Sequence, residues 1–315
     1  MPNLTRVVIA LGGNALQESG SPATAEEQLR VVRKTCETLA DISCQGYEIA
    51  IVHGNGPQVG RILLASEYAK DVTPAMPFDV CGAMSQGYIG YHIQQSLRKE
   101  LHKRNRNVPV ATIVTQVVVD KDDEAFKNPT KPIGLFYSKD EADAIAKDKG
   151  FVMKEDSGRG WRRVVPSPMP KDIVEVDTIE RLWSSTIVIM CGGGGIPVVE
   201  DGEGGYAGVA AVIDKDLAAE RLAEAINADI LLILTEVEKV AINFNKPNQQ
   251  NLSEISCHEA KKYMEEGHFA PGSMLPKVEA AIQFVEGHPG RHSVIAALER
   301  AKEALLGESG TRIIA

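Results

Sequence analysis

The sequence predicts an α/β fold, a three-layer α/β/α sandwich around an open, mainly parallel sheet. Two observations support this prediction. Short segments that are apolar throughout recur along the chain, and each of the first three ends at a glycine-rich turn. Amphipathic helical patterns lie between them. Strands that are apolar on both sides are typical of a sheet covered by helices on both faces, and their alternation with helices favours parallel pairing.

Four apolar runs are the candidate strands of this sheet: residues 7–11, 48–53, 186–191 and 230–235. The first run ends at Gly12-Gly13-Asn14, and the second ends at Gly54-Asn55-Gly56. The third ends at four consecutive glycines, residues 192–195, and the fourth at a polar turn. We expect a helix after each of the three glycine turns.

Helix boundaries are indicated by capping signals. Apolar residues spaced three or four apart between Leu29 and Ile42 predict a helix that begins after Thr24-x-x-Glu27 and ends near Gly46. A similar apolar face follows Asp214. Ser256-x-x-Glu259 and Pro276 predict the starts of two later helices.

Residues 120–170 interrupt this alternation with a stretch rich in charge, proline and glycine. The stretch is too long for an ordinary connection in a compact domain, so we predict a small protruding lid subdomain. An exposed insertion without function is the alternative. We expect an N-terminal lobe at residues 1–185, which includes the lid, and a C-terminal lobe at residues 186–315.

Composition and charge exclude several classes of partner. The net charge of −9 over 315 residues argues against a nucleic-acid ligand, which would require a basic face. No apolar run approaches the ~20 residues that span a bilayer, and the N-terminus lacks the zones of a signal peptide. We therefore expect a cytoplasmic protein with no membrane partner. The five cysteines include no C-x-x-C pair, so neither a disulfide framework nor a zinc site is predicted.

The three glycine turns are candidate phosphate-binding elements. Glycine lets an anion approach backbone N–H groups closely, and ligands of open α/β sheets collect at the carboxyl ends of the strands. No G-x-x-x-x-G-K-[ST] sequence is present, which excludes a P-loop. No turn has the G-x-G-x-x-G spacing of a dinucleotide site either.

Three lysines are candidate anion ligands. Lys215 and Lys277 each stand at a predicted helix start, where their charge adds to the positive end of the helix dipole. Lys131 is held between two prolines, Pro129 and Pro132, which suggests a fixed presentation. Taken alone, each lysine is better explained as a solvated surface residue.

The chain resembles the carbamate kinases, a branch of the amino acid kinase superfamily. The resemblance runs from Val7 to Ile314 and rests on long motifs. These include ALGGNAL (10–16), HGNGPQVG (53–60), DVCGAMSQGYIGY (79–91), NPTKPIG (128–134), EDSGRGWRRVVPSP (155–168), GGGGIPV (192–198), AVIDKDLAAERLA (211–223) and GHFAPGSMLPKVEAA (267–281).

The resemblance implies an enzyme that transfers a phosphoryl group between ATP and carbamate, mainly from carbamoyl phosphate to ADP in arginine fermentation. It also implies a homodimer, and Mg²⁺ carried by the nucleotide without a protein metal site. The N-terminal lobe would hold carbamate or carbamoyl phosphate, and the C-terminal lobe ATP or ADP.

The site residues that we expect follow from this resemblance and from the need to neutralise a moving phosphoryl group. Lys215 would stabilise the transferred group, Asp216 would orient Lys215, and Lys131 would arrive from the lid. Lys277 would bind the nucleotide phosphates with help from Gly193 and Gly194. The remaining candidates are Gly12, Gly13, Asn14, Gly54 and Asn55 for the transferred group, and Thr235, Val237, Met274 and Pro276 for the adenine pocket.

Two other functions stay open at this stage. A kinase of the same superfamily could act on the carboxylate of an amino acid such as acetylglutamate. A nucleotide sensor without catalytic activity could share the fold, although the presence of both Lys215 and Lys277 argues against it.

Overall fold

The computed structural model describes residues 4–18, 20–156 and 158–315. Its strands are β1 (Arg6–Leu11), β2 (Glu48–His53), β3 (Val110–Thr112), β4 (Gln116–Val119), β5 (Lys131–Tyr137), β6 (Met153–Glu155), β7 (Trp161–Val165), β8 (Pro170–Ile173), β9 (Ile187–Met190), β10 (Ile196–Glu200), β11 (Tyr206–Gly208), β12 (Ile230–Thr235), β13 (Ala241–Ile242), β14 (Gln250–Asn251), β15 (Glu254–Ser256), β16 (His292–Ala297) and β17 (Thr311–Ile314). Its α-helices are α1 (Ala25–Cys44), α2 (Gly56–Tyr68), α3 (Phe78–Lys103), α4 (Lys139–Lys149), α5 (Val176–Trp183), α6 (Lys215–Ala225), α7 (Cys257–Glu265), α8 (Met274–Gly287) and α9 (Ala301–Leu305).

The largest sheet has eight strands in the order β15-β17-β16-β12-β1-β2-β9-β3. The central strands β12, β1, β2 and β9 pair in parallel, whereas β16 and β17 pair antiparallel. The four runs predicted as strands are β1, β2, β9 and β12, which lie side by side. The predicted α/β fold with a mainly parallel sheet is confirmed.

The hydrophobic core lies on both faces of this sheet. Alternate residues of β1 face opposite sides: Val8 packs with α6 and α8, and Ile9 packs with α1 and α3. Residues 7–11 of β1 are fully buried, which explains why the strand is apolar throughout.

Capping explains where two of the predicted helices begin. The Thr24 hydroxyl accepts a hydrogen bond from the Glu27 N–H at 3.2 Å and caps α1. Ser256 and Glu259 form a reciprocal capping box at the start of α7. Both predicted signals are confirmed, because each side chain satisfies an N–H that the helix itself leaves unpaired.

The predicted lid stretch contains a separate small sheet. Strands β5, β7 and β6 pair in that order, with α4 between β5 and β6 in the chain. We call residues 131–165 the lid segment. Its inner side joins a hydrophobic cluster with α2 and α3, in which Ile133 and Val165 meet Leu63 and Phe78.

The predicted lobe boundary at residue 186 assigns β9 to the C-terminal lobe, although its neighbours in the sheet belong to the N-terminal lobe. Strand β9 lies between β2 and β3. The glycine turn at 192–195 therefore lies beside the N-terminal strands, although it follows the boundary in sequence. None of the described helices is long and apolar enough to cross a membrane.

Candidate active site

Three of the predicted turns meet at one edge of the main sheet, because the strands that they follow are parallel. Gly12 follows β1, Gly54 follows β2, and the four glycines follow β9. The Gly54 N–H donates a hydrogen bond to the Leu11 carbonyl at 3.2 Å, which ties the first two turns together.

A large cavity of about 850 Å³ opens at this edge. Eight of the predicted site residues line it: Gly12, Gly13, Asn14, Lys215, Thr235, Val237, Met274 and Lys277. Residues from β12, from the loop before α8 and from α1 complete its wall. The cavity has room for a nucleotide.

Lys215 and Lys277 share one carboxylate at the cavity wall. The Lys215 ammonium donates to Asp216 Oδ1 at 2.5 Å, and the Lys277 ammonium donates to Asp216 Oδ2 at 2.9 Å. The side chains are 14% exposed for Lys215, 13% for Lys277 and 2% for Asp216. Two ammonium groups held by one carboxylate leave a net positive charge that faces the cavity.

Burial and charge act on this cluster in opposite directions. Burial lowers the pKa of Lys215, and the neighbouring Asp216 carboxylate opposes that change. For Asp216, burial raises the pKa, but the charges of Lys215 and Lys277 outweigh burial and hold the pKa below its usual value. The carboxylate is therefore ionised at neutral pH.

Lys131 reaches the same region from the lid segment. Its ammonium donates to Asp214 Oδ2 at 3.1 Å. Asp214 is also the N-cap of α6, because its Oδ1 accepts a hydrogen bond from the Asp216 N–H at 2.9 Å. Asp214 was missed as a site residue from sequence. The capping signal, an aspartate immediately before a helix, was available, but its second partner lies 83 residues away.

The turn after β2 lies against the cationic cluster. A Cβ added at Gly54 would lie 3.5 Å from Cδ of Lys215. His53, just before it, is buried, and a ring hydrogen bond joins its Nδ1 to the Gly54 carbonyl at 2.8 Å. Burial lowers the pKa of His53 to about 4, so the imidazole is neutral at physiological pH. His53 is therefore a packing and hydrogen-bonding residue.

Asn55 and Gly193 form a second, smaller part of the site. The Asn55 amide donates to the Ser85 hydroxyl at 2.8 Å. Gly193 has φ +70, and a Cβ there would overlap the Asn55 side chain. Glycine is therefore required on two grounds, backbone conformation and space. A cavity of about 20 Å³ lies beside both residues and is also lined by Phe78 and Gly82.

Three predicted residues are placed differently from the expectation. Among the described residues that line the large cavity, Gly193, Gly194 and Pro276 are absent. A Cβ added at Gly194 would overlap the Ile213 carbonyl, and Pro276 lies inside the first turn of α8. The expectation of a helix after each glycine turn is wrong for residues 192–195, which lead through one 3-10 turn into β10.

The described part of the chain offers no preformed metal site. It contains no group of three or more His, Cys, Asp or Glu side chains that could hold a metal ion. All five cysteines are free thiols, and all but Cys44 are buried.

Comparisons with known proteins support one family. The profile of the amino acid kinase family matches residues 5–296. A carbamate kinase of Clostridium perfringens is 58% identical over 98% of this chain and 99% of its own length. A carbamate kinase of Pyrococcus furiosus is 55% identical over 98% of this chain and 99% of its own length.

Solved structures agree with the sequence comparison. Carbamate kinase from Giardia lamblia bound to AMP-PNP superposes with a TM-score of 0.94 at 45% identity, covering 100% of this chain and 99% of that one. N-acetylglutamate synthase from Neisseria gonorrhoeae has a TM-score of 0.59 at 15% identity and covers 98% of this chain and 61% of that one, a likeness of fold alone.

Proposed function

Because the chain belongs to the amino acid kinase family and, within it, to the carbamate kinases, we propose that it transfers a phosphoryl group from carbamoyl phosphate to ADP. The reverse reaction, from ATP to carbamate, would use the same site. The observation that carries this proposal is the pair of lysines on Asp216 at the wall of the large cavity. The protein as a whole has a net charge of −9, so a local positive site is needed if anionic substrates are to bind.

The large cavity is the proposed nucleotide site. Lys277 stands in the first turn of α8 and faces this cavity, which suits the phosphates of ADP or ATP. Thr235, Val237 and Met274 line the same cavity and are proposed to contact adenine. We propose that Pro276 supports the start of α8 behind them, since it does not line the cavity in the described structure.

The turns after β1 and β2 are the proposed site of the transferred group. Gly12, Gly13 and Asn14 line the large cavity, and Gly54 abuts Lys215. Asn55 would complete this site together with Gly193, whereas Gly194 would support the turn. The small cavity lies beside Asn55 and Gly193, next to this proposed site.

Charge neutralisation is the main work of the proposed site. Carbamate is already an anionic nucleophile, so phosphoryl transfer to it requires no general base. Lys215 would bind the equatorial oxygens of the phosphoryl group while this group passes from one anion to the other. Asp216 would hold Lys215 and Lys277 at fixed positions, which favours an orienting role over a role as metal ligand.

A divalent cation belongs to this proposal as a companion of the nucleotide. Mg²⁺ usually bridges nucleotide phosphates and keeps several waters, so it does not require a dedicated protein cage. Both oxygens of the buried Asp216 carboxylate are already bonded to Lys215 and Lys277, which fits a cation held by the nucleotide. Mg²⁺ would supply further charge neutralisation on the phosphates.

The biological setting is proposed from the resemblance. We propose that the protein is cytoplasmic, takes part in arginine breakdown and is a homodimer. An exposed apolar stripe on α3, formed by Val80, Met84 and Tyr91, supports the homodimer. These residues are spaced four and seven apart and therefore share one helix face. Sedimentation of the wild type and of Met84→Glu would test this assembly.

The proposed reaction is tested by measuring ATP formation. Wild-type protein is supplied with ADP, Mg²⁺ and either carbamoyl phosphate, acetyl phosphate or acetylglutamyl phosphate. We expect rapid ATP formation when carbamoyl phosphate is the donor and not with the other two donors. Chelation of Mg²⁺ should abolish this ATP formation. Efficient use of acetylglutamyl phosphate with no use of carbamoyl phosphate would instead support the amino acid carboxylate kinase. Binding of ADP without turnover of any donor would support the sensor.

A further inference from the structure

Asp214 bonds two different structural elements with its two carboxylate oxygens. Oδ1 accepts from the Asp216 N–H at 2.9 Å and caps α6. Oδ2 accepts from the Lys131 ammonium at 3.1 Å. One side chain therefore links the lid segment to the start of the helix that carries Lys215 and Asp216.

The backbone of the lid segment is fixed near this point by other contacts. The Val212 N–H donates to the Pro166 carbonyl at 2.9 Å, and Lys131 pairs with Val165 in the lid sheet. Ile133, Val165 and Val212 also share one hydrophobic cluster. These contacts place the Cα of Lys131, but they do not determine where its long, flexible side chain points.

The position of the Lys131 ammonium depends on Asp214. Within the described parts of the chain, Asp214 is the only residue that bonds it. The pair is more exposed than the cluster around Asp216, because the Lys131 side chain is 33% exposed and the Asp214 side chain 15%. A pair of this exposure is weak enough to exchange one partner for another.

We propose that Asp214 is a positioning residue, which holds the Lys131 ammonium at the rim of the site until a phosphoryl oxygen of carbamoyl phosphate replaces the carboxylate as its partner. This inference rests on the proposed function and adds a role that the lysines alone do not provide. Exchange between two anionic partners keeps the ammonium paired throughout, so the lid never presents an unpaired charge to a partly dry site.

Asp214→Asn separates the two roles of the side chain. Asparagine is as good an N-cap as aspartate, so its amide oxygen would still accept from the Asp216 N–H. Its other terminal group, an NH₂, is a donor and cannot pair with an ammonium. The variant thus keeps the cap and removes the ion pair.

The experiment measures steady-state kinetics and melting temperature for the wild type, Asp214→Asn, Lys131→Met and the double variant. For Asp214→Asn we expect KM for carbamoyl phosphate to rise by up to about tenfold, because a Lys131 side chain that is no longer held must be ordered when the substrate binds. We expect kcat and KM for ADP to stay within about twofold and the melting temperature within a few degrees. In the Lys131→Met background, Asp214→Asn should change KM by less than about twofold, because both substitutions remove the same contact.

Asp143→Asn is the matched control. It removes an exposed ion pair with Lys139 on the lid segment by the same substitution, and we expect wild-type kinetics. Asp214 would be merely a helix cap if Asp214→Asn matched the wild type in every measurement. An effect of full size in the Lys131→Met background would mean that Asp214 acts through another residue. A wild type that makes no ATP from carbamoyl phosphate would refute the proposed function rather than this inference.

Discussion

The two sides of the proposed site differ in charge. On the side of α6 and α8, two ammonium groups surround one buried carboxylate. On the side of β1, β2 and β9, the turns present glycines, asparagines and a neutral histidine. Charge is concentrated on the first side, and the second consists of uncharged donors held in tight packing.

This difference suggests how one enzyme can bring two anions together. Fixed charges on the nucleotide side attract phosphates, and these charged groups do not have to reorient when the phosphoryl group moves. Uncharged donors on the other side can hold a small anion without binding it so tightly that release becomes slow. We therefore expect charge changes to be most damaging on the first side, and changes of shape to be most damaging on the second.

The largest effect is expected from Asp216→Ala. The substitution would leave two mostly buried ammonium groups facing each other, and removal of one partner from a buried ion pair costs about 3–5 kcal/mol. We expect the free energy of unfolding, measured in urea, to fall by about this amount. Asp143→Asn on the exposed lid pair should change it by less than about 0.5 kcal/mol.

A loss below about 1 kcal/mol for Asp216→Ala would contradict the picture of a charged, pre-formed side. It would mean that Lys215 and Lys277 reach solvent or become neutral without cost. The lowered pKa of Lys215 makes neutralisation of that residue the first alternative to examine.

Lys215→Ala should have the next largest effect, on turnover. Loss of one preorganised donor to a transition state commonly lowers kcat by ~10²–10³. We expect a decrease of this size in ATP formation, while ADP binding measured by calorimetry weakens far less, since Lys277 remains. Near wild-type turnover in the folded variant would remove Lys215 from the reaction.

The charged side can be predicted from the sequence better than the neutral side. Lys215 and Lys277 could be assigned because a helix start is a local signal, and both helices begin near where the pattern indicated. Gly193 was assigned to the nucleotide side, but β9 pairs with β2 and so brings Gly193 to Asn55. Strand order is set by contacts between distant segments, which local patterns do not encode.

The same limit applies to the lid. Its existence followed from a stretch too long for a simple loop, and residues 131–165 do form a separate sheet. The bond between Lys131 and Asp214 could not be predicted, because it joins two segments whose proximity depends on how that sheet packs.

Gly193→Ala tests whether the neutral side depends on shape. The positive φ is unfavourable for alanine, and its Cβ would overlap the Asn55 side chain. We expect the unfolding free energy to fall by about 1–3 kcal/mol. Gly150→Ala is the matched control, because Gly150 has a similar positive φ of +67 and no atom within 4 Å of its added Cβ. Alanine there should cost only the backbone strain, about 1 kcal/mol. Equal effects of the two substitutions would contradict tight packing around Asn55.

The smallest expected effect concerns the charge state of His53. Its pKa is about 4 in the folded protein and about 6.5 in an unfolded chain. Between these values only the unfolded state binds the proton, so protonation at this residue destabilises the fold as pH falls from 6.5 towards 4. His53→Asn removes this contribution. The stability advantage of the wild type over the variant should therefore be about 2 kcal/mol smaller at pH 5 than at pH 7.

Urea unfolding of both proteins at the two pH values measures this difference, and the other titrating groups cancel in the comparison. An advantage that is equal at pH 5 and pH 7 would mean that folded His53 takes up a proton as easily as the unfolded chain does. The turn after β2 would then carry a titrating positive charge beside Lys215, and the division into a charged and a neutral side would fail where the two sides meet.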